Sequence, residues 1–319
     1  MSTCDFQKEK QAAIEQLVLS EVPLEQAETV ADCFVTADAY GVTTHGTKVL
    51  PAHLSRIRRG GYNLSPKMRV LRETAAFAVI DGDNAIGPVS AKFCIQYAIE
   101  KVKRSGVFTV FSRRNNTFGP AFYYPLLAAK EGLIGIAFSN SPAQMAPMGG
   151  KEKMLGTNPF AIVVPNGNEP IILDMATSIV AKSKFKEYKA KGKSLPEGWA
   201  LDKDGNPTTN PDEAIEGLIL PMAGFKGYGI AMMIDILSGV LSGAAYLNKV
   251  GRFYSDDGAC MDVGFQFIVI DPKQVLGEKY EVIIADFVQS IRNSAAIEGQ
   301  TIVLPGDDRL KCFKNGLNE

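Results

Sequence analysis

The spacing of apolar residues changes near residue 69, and this change restricts the folds that the chain can adopt. Before it, apolar residues recur three and four positions apart, as in Leu24, Ala27 and Val30 after Pro23, which is the pattern of one helix face. After it, apolar stretches are short, rich in β-branched and aromatic residues, and bounded by Gly, Pro or Asn. The sequence therefore predicts an N-terminal helical segment followed by a mixed α/β region.

The mixed region contains predicted strands, helices and one long loop. Strands are predicted over residues 76–80, 107–111, 134–138, 160–164, 171–173 and 265–270. An amphipathic helix is predicted over 87–103, and the turn-forming residues of 192–212 predict an ordered surface loop. Residues 228–246 are apolar on nearly all sides, which predicts a buried central helix.

The composition predicts a globular protein without a nucleic-acid or membrane partner. Of the 319 residues, 46% are hydrophobic and 22% are charged, which allows one large or two moderate domains. The net charge of -1 and the lack of a Lys/Arg-rich run provide no basic surface for nucleic acid. The sequence has no run of 18 apolar residues, and its first ten residues are too charged for a signal peptide, so we expect a cytoplasmic protein.

The cysteines and histidines argue against a metal site. The five cysteines, Cys4, Cys33, Cys94, Cys260 and Cys312, are scattered and form no Cys-x-x-Cys pair. The chain has only two histidines that could assist them. We therefore expect no metal ligands and reduced cysteines that pack as small apolar groups.

The glycine motifs of common nucleotide-binding sites are absent from the sequence. No G-x-G-x-x-G joins a strand to a helix. Gly192-Lys193-Ser194 is not a P-loop, because Glu187 stands where the first glycine belongs. A Rossmann or kinase-type site is therefore not expected.

The two histidines differ in their predicted settings. His53 shares a helix face with Leu50 and Leu54, so it is predicted to pack against the protein. His45 stands in a loop, within the phrase GVTTHG at 41–46, and loops commonly carry functional side chains. From the residues alone, this phrase is either a simple turn or part of the site of an α/β enzyme.

Short phrases along the whole chain provide the most specific signal. They are GVTTHG at 41–46, LP at 50–51, APMGG at 146–150, GTNP at 156–159, LDMATS at 173–178, GWA at 198–200, FKGYG at 225–229, DILSG at 235–239 and LPG at 304–306. Together and in this order they resemble the malate/L-lactate dehydrogenase-like family. This family includes ureidoglycolate, sulfolactate and diketogulonate-type enzymes and some cyclic imine reductases.

The resemblance implies a fold, a cofactor and an assembly. It implies an α/β (mixed α+β) fold that binds a nicotinamide dinucleotide without a Rossmann unit, with a mixed, largely antiparallel sheet and an N-terminal helical segment. It implies NAD or NADP, without deciding which, and a homodimer. The implied division is a helical segment at 1–68, a substrate and dimer domain at 69–115 and 250–319, and a cofactor domain at 116–249.

The resemblance also implies a set of cofactor-binding residues. The start of the helix after residue 178 offers N–H groups to a phosphate, and Pro305-Gly306 would let the backbone approach the dinucleotide closely. The implied cofactor residues are Ser139, Asn140, Asp174, Met175, Ala176, Lys226, Pro305 and Gly306.

The chain departs from the family pattern at two positions. Thr117 stands where the family has its usual proton-carrying histidine, and threonine cannot act as a base near pH 7. Val49 replaces a common arginine that would clamp a substrate carboxylate. Lys48 can supply a charge instead only if the loop turns it inward. Lys48, Asn116 and Thr117 form the predicted substrate-binding set.

Three functions for a small-molecule substrate remain open at this point. The first is a dehydrogenase that interconverts a small 2-hydroxy acid and its 2-oxo form, with His45 as proton carrier and Asp174 or Thr44 orienting it. The second is a cyclic imine or ketimine reductase. The third is a paralogue that binds the cofactor without turnover.

Overall fold

The computed structural model describes residues 3–255 and 258–318. Its helices are α1 (Thr3–Val18), α2 (Leu24–Ala39), α3 (Leu50–Arg58), α4 (Gly87–Ser105), α5 (Tyr123–Lys130), α6 (Ser183–Ala190), α7 (Pro211–Glu216), α8 (Phe225–Ile234), α9 (Pro272–Leu276), α10 (Lys279–Arg292) and α11 (Asp307–Asn318). Its strands are β1 (Arg69–Glu73), β2 (Phe77–Asp81), β3 (Val107–Asn115), β4 (Ile134–Ser139), β5 (Phe160–Val164), β6 (Ile171–Met175), β7 (Ala200–Leu201), β8 (Pro207–Thr208), β9 (Leu218–Ile219) and β10 (Val263–Ile270). Short 3-10 turns lie at Thr43–His45, Thr47–Val49 and Leu247–Lys249, and a π-helical turn lies at Asp235–Val240.

A seven-stranded sheet in the order β1-β2-β3-β10-β4-β5-β6 forms the centre of the protein. Its β2–β3 pair is parallel, and its other neighbouring pairs are antiparallel. A second, three-stranded sheet in the order β8-β7-β9 is antiparallel. The mixed, largely antiparallel sheet implied by the family resemblance is therefore confirmed.

Strand β10 lies in the middle of the large sheet and is buried on both faces. Phe265 and Phe267 are fully buried on one face, and Gly264 and Gln266 are buried on the other. A strand buried on both faces needs cover from further elements. Helix α4 and the π-helical turn both pack against it.

The predicted N-terminal helices and the six predicted strands are present. The predicted periodic face of α2 is buried, with Ala27, Val30 and Phe34 inaccessible to solvent. Strand β5 has the predicted bounds, and the other predicted strands agree to within a few residues, except that β3 continues to Asn115. Strand β1 was not predicted. It is an exposed edge strand whose charged residues hide the period-2 signal.

The predicted surface loop at 192–212 is partly wrong, because this segment contains two short strands. Strand β7 and strand β8 form a hairpin across Asp202, whose amide donates to the Asn206 carbonyl over 2.8 Å. Strand β9, from outside the segment, then pairs with β7. Two-residue strands give no periodicity in a sequence, so pairing partners rather than local pattern decide this structure.

The predicted buried helix at 228–246 is also wrong. The segment is helix α8 followed by the π-helical turn, and one side of it is open to solvent. Met233 is 47% exposed and Leu241 is 54% exposed. An apolar pattern on all sides predicts cover on all sides, but the cover need not come from the same chain.

The structure also bears on the cysteines and on possible membrane spans. Cys33, Cys94, Cys260 and Cys312 are free thiols, and Cys4 falls outside the residues whose side chains are described. Within the described ranges, no three His, Cys, Asp or Glu side chains gather as metal ligands would. No helix in those ranges is long and apolar enough to span a membrane. The division into domains at 1–68, 69–115 with 250–319, and 116–249 stays a prediction.

Candidate active site

A cleft of about 1030 Å³ lies beside the edge of the large sheet that ends in β6. Its walls come from the loop after α2, the end of β6, the loops after β4 and β6, the segment 252–255 and the first turn of α11. Its size is at the upper end of the range for small-molecule sites. The predicted residues Thr44, His45, Asp174, Met175 and Ala176 line it.

The loop that carries His45 is fixed by one carboxylate. Asp38, near the end of α2, accepts hydrogen bonds from the Thr47 amide and from the Thr47 hydroxyl, both over 2.7 Å through Oδ2. The 3-10 turns on either side of Gly46 are thereby held against α2. His45 is presented to the cleft by this loop, and its Nδ1 lies 3.0 Å from the Thr44 hydroxyl.

The environment of His45 favours the neutral imidazole. The side chain is exposed to the solvent of the cleft, but nearby protein atoms displace part of the water around the imidazole. This desolvation, followed by the positive charge of Arg309, lowers the pKa of His45 below its ordinary value of 6.5. A neutral imidazole at neutral pH can accept a proton.

Asp174 and Arg309 form an ion pair next to this histidine. Arg309 places one guanidinium nitrogen 3.2 Å from Asp174 Oδ2 and donates to the Asp174 carbonyl oxygen over 3.1 Å. Burial raises the pKa of Asp174 to about 6, while the Arg309 charge and a hydrogen bond from the Phe122 backbone act in the opposite direction. The guanidinium also lies 5.3 Å from the centre of the Phe122 ring. Burial therefore opposes ionisation of Asp174, and the adjacent Arg309 favours it.

Arg309 was missed by the sequence reasoning, although a signal for it exists. It lies in the first turn of α11, three residues after the LPG phrase. A cation there opposes the helix dipole, which favours anions at a helix N-terminus. An arginine in that position therefore indicates a specific partner, which the structure identifies as Asp174.

Ser141 marks a polar position in the cleft that has no partner within the protein. Its hydroxyl oxygen is inaccessible to solvent and makes no hydrogen bond to the described residues. The residue lines the cleft beside Thr157 and Ala176, which belong to the GTNP and LDMATS phrases. A buried hydroxyl without a partner is unusual, and a bound polar ligand would satisfy it. This part of the cleft therefore fits a ribose or phosphate oxygen.

Two cationic side chains line another part of the cleft. Lys182 donates to Gln144 Oε1 over 2.6 Å, and Arg252 is exposed in the segment that follows Val250. Neither cation makes an ion pair with a carboxylate in the described part of the chain. Sequence reasoning missed both, since isolated lysines and arginines are common on surfaces.

The three predicted substrate-binding residues do not line the cleft. Lys48 is exposed on the second 3-10 turn, and Thr117 is half-buried outside the cleft wall. Asn116 is fully buried, where its Oδ1 accepts from Arg56 over 3.2 Å and its Nδ2 donates to the Ala85 carbonyl over 2.9 Å. Its side chain is therefore occupied in joining elements of the core.

Two of the predicted cofactor residues are fixed in the core instead of facing the cleft. Asn140 donates to Asp235 Oδ1 over 2.9 Å and accepts from the Gly264 amide over 2.9 Å. The Ser139 hydroxyl donates to the Asn140 carbonyl. The bonds of Asn140 join the end of β4 to the π-helical turn and to β10. Both side chains therefore stabilise the packing next to the cleft and do not face it.

The remaining predicted cofactor residues lie elsewhere on the surface. Lys226 is exposed in the first turn of α8 and does not line the cleft. Gly306 has φ of +95° and lines a neighbouring cavity of about 460 Å³, which shares Thr44 and Arg309 with the main cleft. A Cβ on Gly306 would lie 2.7 Å from Ile172 Cβ, so the close approach is to strand β6. Pro305 accepts a hydrogen bond from the Ile172 amide.

Comparison with known proteins identifies the family to which this chain is similar. The family model for malate/L-lactate dehydrogenase matches residues 4–319. The chain belongs to the malate/L-lactate dehydrogenase family. A malate dehydrogenase of Pyrococcus horikoshii is 43% identical over 282 residues, which cover 86% of this chain and 78% of that protein. The resemblance drawn from the sequence phrases is therefore confirmed.

Solved structures of the family have the same fold. The sulfolactate dehydrogenase of Methanocaldococcus jannaschii has a TM-score of 0.91 at 40% identity, with 97% of this chain and 90% of that chain covered. The delta1-piperideine-2-carboxylate reductase of Pseudomonas syringae has a TM-score of 0.87 at 26% identity, with 98% and 93% covered. A sulfolactate dehydrogenase and a piperideine-2-carboxylate reductase therefore share the fold of this chain.

The names of two further relatives state different cofactors. Ureidoglycolate dehydrogenase (NAD(+)) of Escherichia coli strain K12 is 40% identical over 249 residues, covering 78% of this chain and 71% of that protein. (2R)-3-sulfolactate dehydrogenase (NADP(+)) of Chromohalobacter salexigens is 33% identical over 299 residues, covering 93% and 87%. Family membership therefore supports a dehydrogenase that uses a nicotinamide cofactor and leaves the choice of cofactor open.

Proposed function

We propose that this protein interconverts a small 2-hydroxy acid and its 2-oxo form by hydride exchange with NAD or NADP. The observation that carries the proposal is the meeting of His45, Asp174 and Arg309 in one cleft. Malate and sulfolactate, which appear in the names of its relatives, are 2-hydroxy acids. The cleft therefore needs a proton carrier at the hydroxyl and a cation for the carboxylate.

His45 is the proposed proton carrier. The Thr44 hydroxyl lies at Nδ1, so we assign the transfer to Nε2. In the oxidation, hydride leaves the carbinol carbon while the hydroxyl proton passes to His45 Nε2, and in the reduction both steps reverse. When bound, the nicotinamide ring accepts or supplies the hydride. The lowered pKa of His45 keeps the imidazole neutral and ready to accept the proton in the oxidation.

Arg309 is the proposed cation for the substrate carboxylate. The family arginine is replaced by Val49, which packs against the core. Arg309 has five N–H donors, and the bonds to Asp174 use one of its two terminal nitrogens. Asp174 holds the guanidinium at the wall of the cleft. Thr44 and Asp174 thus act as positioning residues for the two groups that contact the substrate.

The residues present fit a dinucleotide in the rest of the cleft. Met175 and Ala176 provide apolar wall, and the unpartnered Ser141 hydroxyl is available to a ribose or phosphate oxygen. The cleft volume of about 1030 Å³ leaves room for a small acid beside a long cofactor.

A cyclic imine reductase is the second candidate function. It is supported by the fold shared with the piperideine carboxylate reductase and by Thr117 in place of the usual histidine. Hydride transfer to an already protonated C=N bond needs no strong acid from the protein. The same cleft and the same hydride chemistry would serve this reaction.

We also propose a homodimer. The chain has an accessible surface of 15654 Å², compared with about 12,900 Å² for a compact monomer of this mass. Exposed apolar side chains lie along one side of α8 and the following π-helical turn. This apolar outer face consists of Phe225, Ile230, Met233, Ile236, Val240 and Leu241. Apolar patches of this kind commonly mark contacts between subunits.

Binding and turnover measured together test the proposed function. Fluorescence titration with NADH and NADPH should give saturable binding of at least one of them, and a panel of 2-oxo acids and cyclic imines should then reveal turnover. Consumption of 2-oxo acids supports the dehydrogenase, and consumption of imines alone supports the second candidate. Binding of a cofactor without turnover on either panel supports the paralogue without activity, and binding of neither cofactor contradicts the proposal.

A further inference from the structure

The cationic part of the cleft, which consists of Lys182 and Arg252, has no role in the proton transfer just described. Lys182 is half-buried and immediately precedes α6, and the adjacent residue, Ser183, also lines the cleft. Two cations that line the same cleft, without a carboxylate partner in the described chain, favour the binding of an anion. The N-terminus of α6 adds its dipole in the same sense.

The positive charges around Lys182 strengthen the preference of this site for an anion. Burial, and then the nearby charges of Lys153, Lys186 and Arg252, lower the pKa of Lys182 to about 8, while Glu216 acts in the opposite direction. Lys153 contributes a positive charge from behind the wall, where its amine donates to the Glu216 carbonyl over 2.7 Å. Like charges held together are stabilised by a bound anion.

This group of cations is separate from the group near His45. The pKa of His45 responds to Arg309, whereas that of Lys182 responds to Lys153, Lys186 and Arg252. A substrate whose hydroxyl contacts His45 has its carboxylate within reach of Arg309. Lys182 and Arg252 therefore remain available for an anionic group of a second or longer ligand in the same cleft.

We propose that Lys182 and Arg252 bind a phosphate group of the nicotinamide dinucleotide and thereby contribute to the choice between NAD and NADP. This inference rests on the proposed function, which supplies the dinucleotide. The chemistry is that of a lysine and an arginine with a phosphate oxyanion, where Lys182 acts as a point charge and Arg252 provides paired N–H donors. The phosphate is either the diphosphate bridge or the ribose 2′-phosphate found in NADP alone.

The test measures cofactor binding in the absence of any substrate. Kd values for NADH and NADPH are determined by fluorescence titration for the wild type, Lys182→Gln and Lys182→Arg. Lys191→Gln is the matched control, because Lys191 lies at the other end of α6, pairs with Glu187 and does not line the cleft. Lys182→Gln should raise Kd by at least about tenfold, while Lys182→Arg and the control should stay near the wild type.

The pH dependence of binding gives a second readout that does not depend on activity. A lysine with a pKa of about 8 is mostly protonated at pH 7 and mostly neutral at pH 9. The wild-type Kd should therefore rise by up to about tenfold over this interval, because the phosphate loses its partner charge. In Lys182→Arg the charge persists, so the rise should largely disappear.

The outcomes distinguish the 2′-phosphate from the diphosphate as the bound group. They also distinguish failure of this inference from failure of the proposed function. Loss of affinity for NADPH alone assigns the 2′-phosphate, and equal loss for both cofactors assigns the diphosphate. Unchanged binding of both cofactors to Lys182→Gln overturns this inference, and so does a change confined to the KM of the substrate. If the wild type binds neither cofactor, the proposed function itself fails.

Discussion

The two histidines of this chain have different environments, and the difference supports the role proposed for His45. His53 is buried in α3, its Nδ1 lies 2.8 Å from the Tyr62 hydroxyl, and burial together with Arg56 lowers its pKa to about 3. It therefore stays neutral at physiological pH and packs, as the sequence predicted. His45 faces the cleft, where a substrate can reach it.

Replacing His45 tests the proton carrier directly. His45→Gln should lower kcat by roughly 10² to 10⁴, which is the usual contribution of one positioned acid or base, and should leave the cofactor Kd nearly unchanged. Thr117→Ala is the control, and it should have a much smaller effect because Thr117 does not line the cleft. Steady-state kinetics and fluorescence titration provide the two readouts. Wild-type turnover in His45→Gln would mean that another group moves the proton.

Arg309 should control the pH dependence of the oxidation. Its charge lowers the pKa of His45 and also lowers that of Asp174, which is about 6. In Arg309→Gln both pKa values should rise, so the acid limb of the kcat/KM profile should move to higher pH. The oxidation needs neutral His45, so activity at pH 6 should fall more than activity at pH 8.

Arg309→Lys separates the effect of charge from that of shape. It keeps the positive charge, so its acid limb should lie near that of the wild type, while its KM for the acid should rise because paired hydrogen bonds are lost. An acid limb in the same place for Arg309→Gln and the wild type would exclude this electrostatic role.

At the scale of elements, the site depends on the close approach of the π-helical turn to the central strand. Gly264 on β10 lies against this turn, and a Cβ at that position would lie 1.9 Å from the Ser238 carbonyl oxygen. Asn140 joins the same two elements through the Gly264 amide and Asp235. The loop after β4, which carries Ser141 into the cleft, begins at this junction.

Two glycine substitutions should therefore change stability in opposite directions. Gly264→Ala forces the turn away from the strand and should reduce the free energy of unfolding by about 1–3 kcal/mol. Gly229→Ala on α8 lies on the apolar outer face between Phe225 and Met233, so it is measured in a monomeric variant. There the new methyl group has open space and should raise the free energy of unfolding by about 0.5–1 kcal/mol, because alanine favours a helix. Denaturant unfolding of both variants provides the measurement. A Gly264→Ala variant as stable as the wild type would contradict the close packing.

At the scale of the whole molecule, the apolar outer face of α8 and the π-helical turn predicts how two copies associate. Light scattering should give twice the mass of the chain at micromolar concentration. The double variant Met233→Glu/Val240→Glu places two charges on this face and should shift the population to the monomer. Leu19→Glu is the control, since Leu19 is 84% exposed on the short loop after α1, away from this face. A dimer that survives the double variant would place the subunit contact elsewhere.

Local sequence determined much of the fold. The periodic face of α2 and the apolar runs of β2 to β6 and β10 each carry their own signal, because a residue's burial on one face repeats at the period of its element. Phrases such as LDMATS, which lies at the end of β6, also indicated the family before any fold was known. The placement of His45 in a loop and of His53 on a helix face followed from the same patterns.

Only the tertiary structure decided which side chains meet. Arg309 reaches Asp174 across 135 positions of the chain, and Lys182 gathers its neighbours from three separate segments. Asn116 and Asn140 were predicted to contact the substrate and the cofactor, but their side chains make hydrogen bonds to distant groups within the core. The exposure of α8 likewise depends on what packs against it. Periodicity records how each element is buried, whereas contacts between distant residues depend on how all the elements pack together.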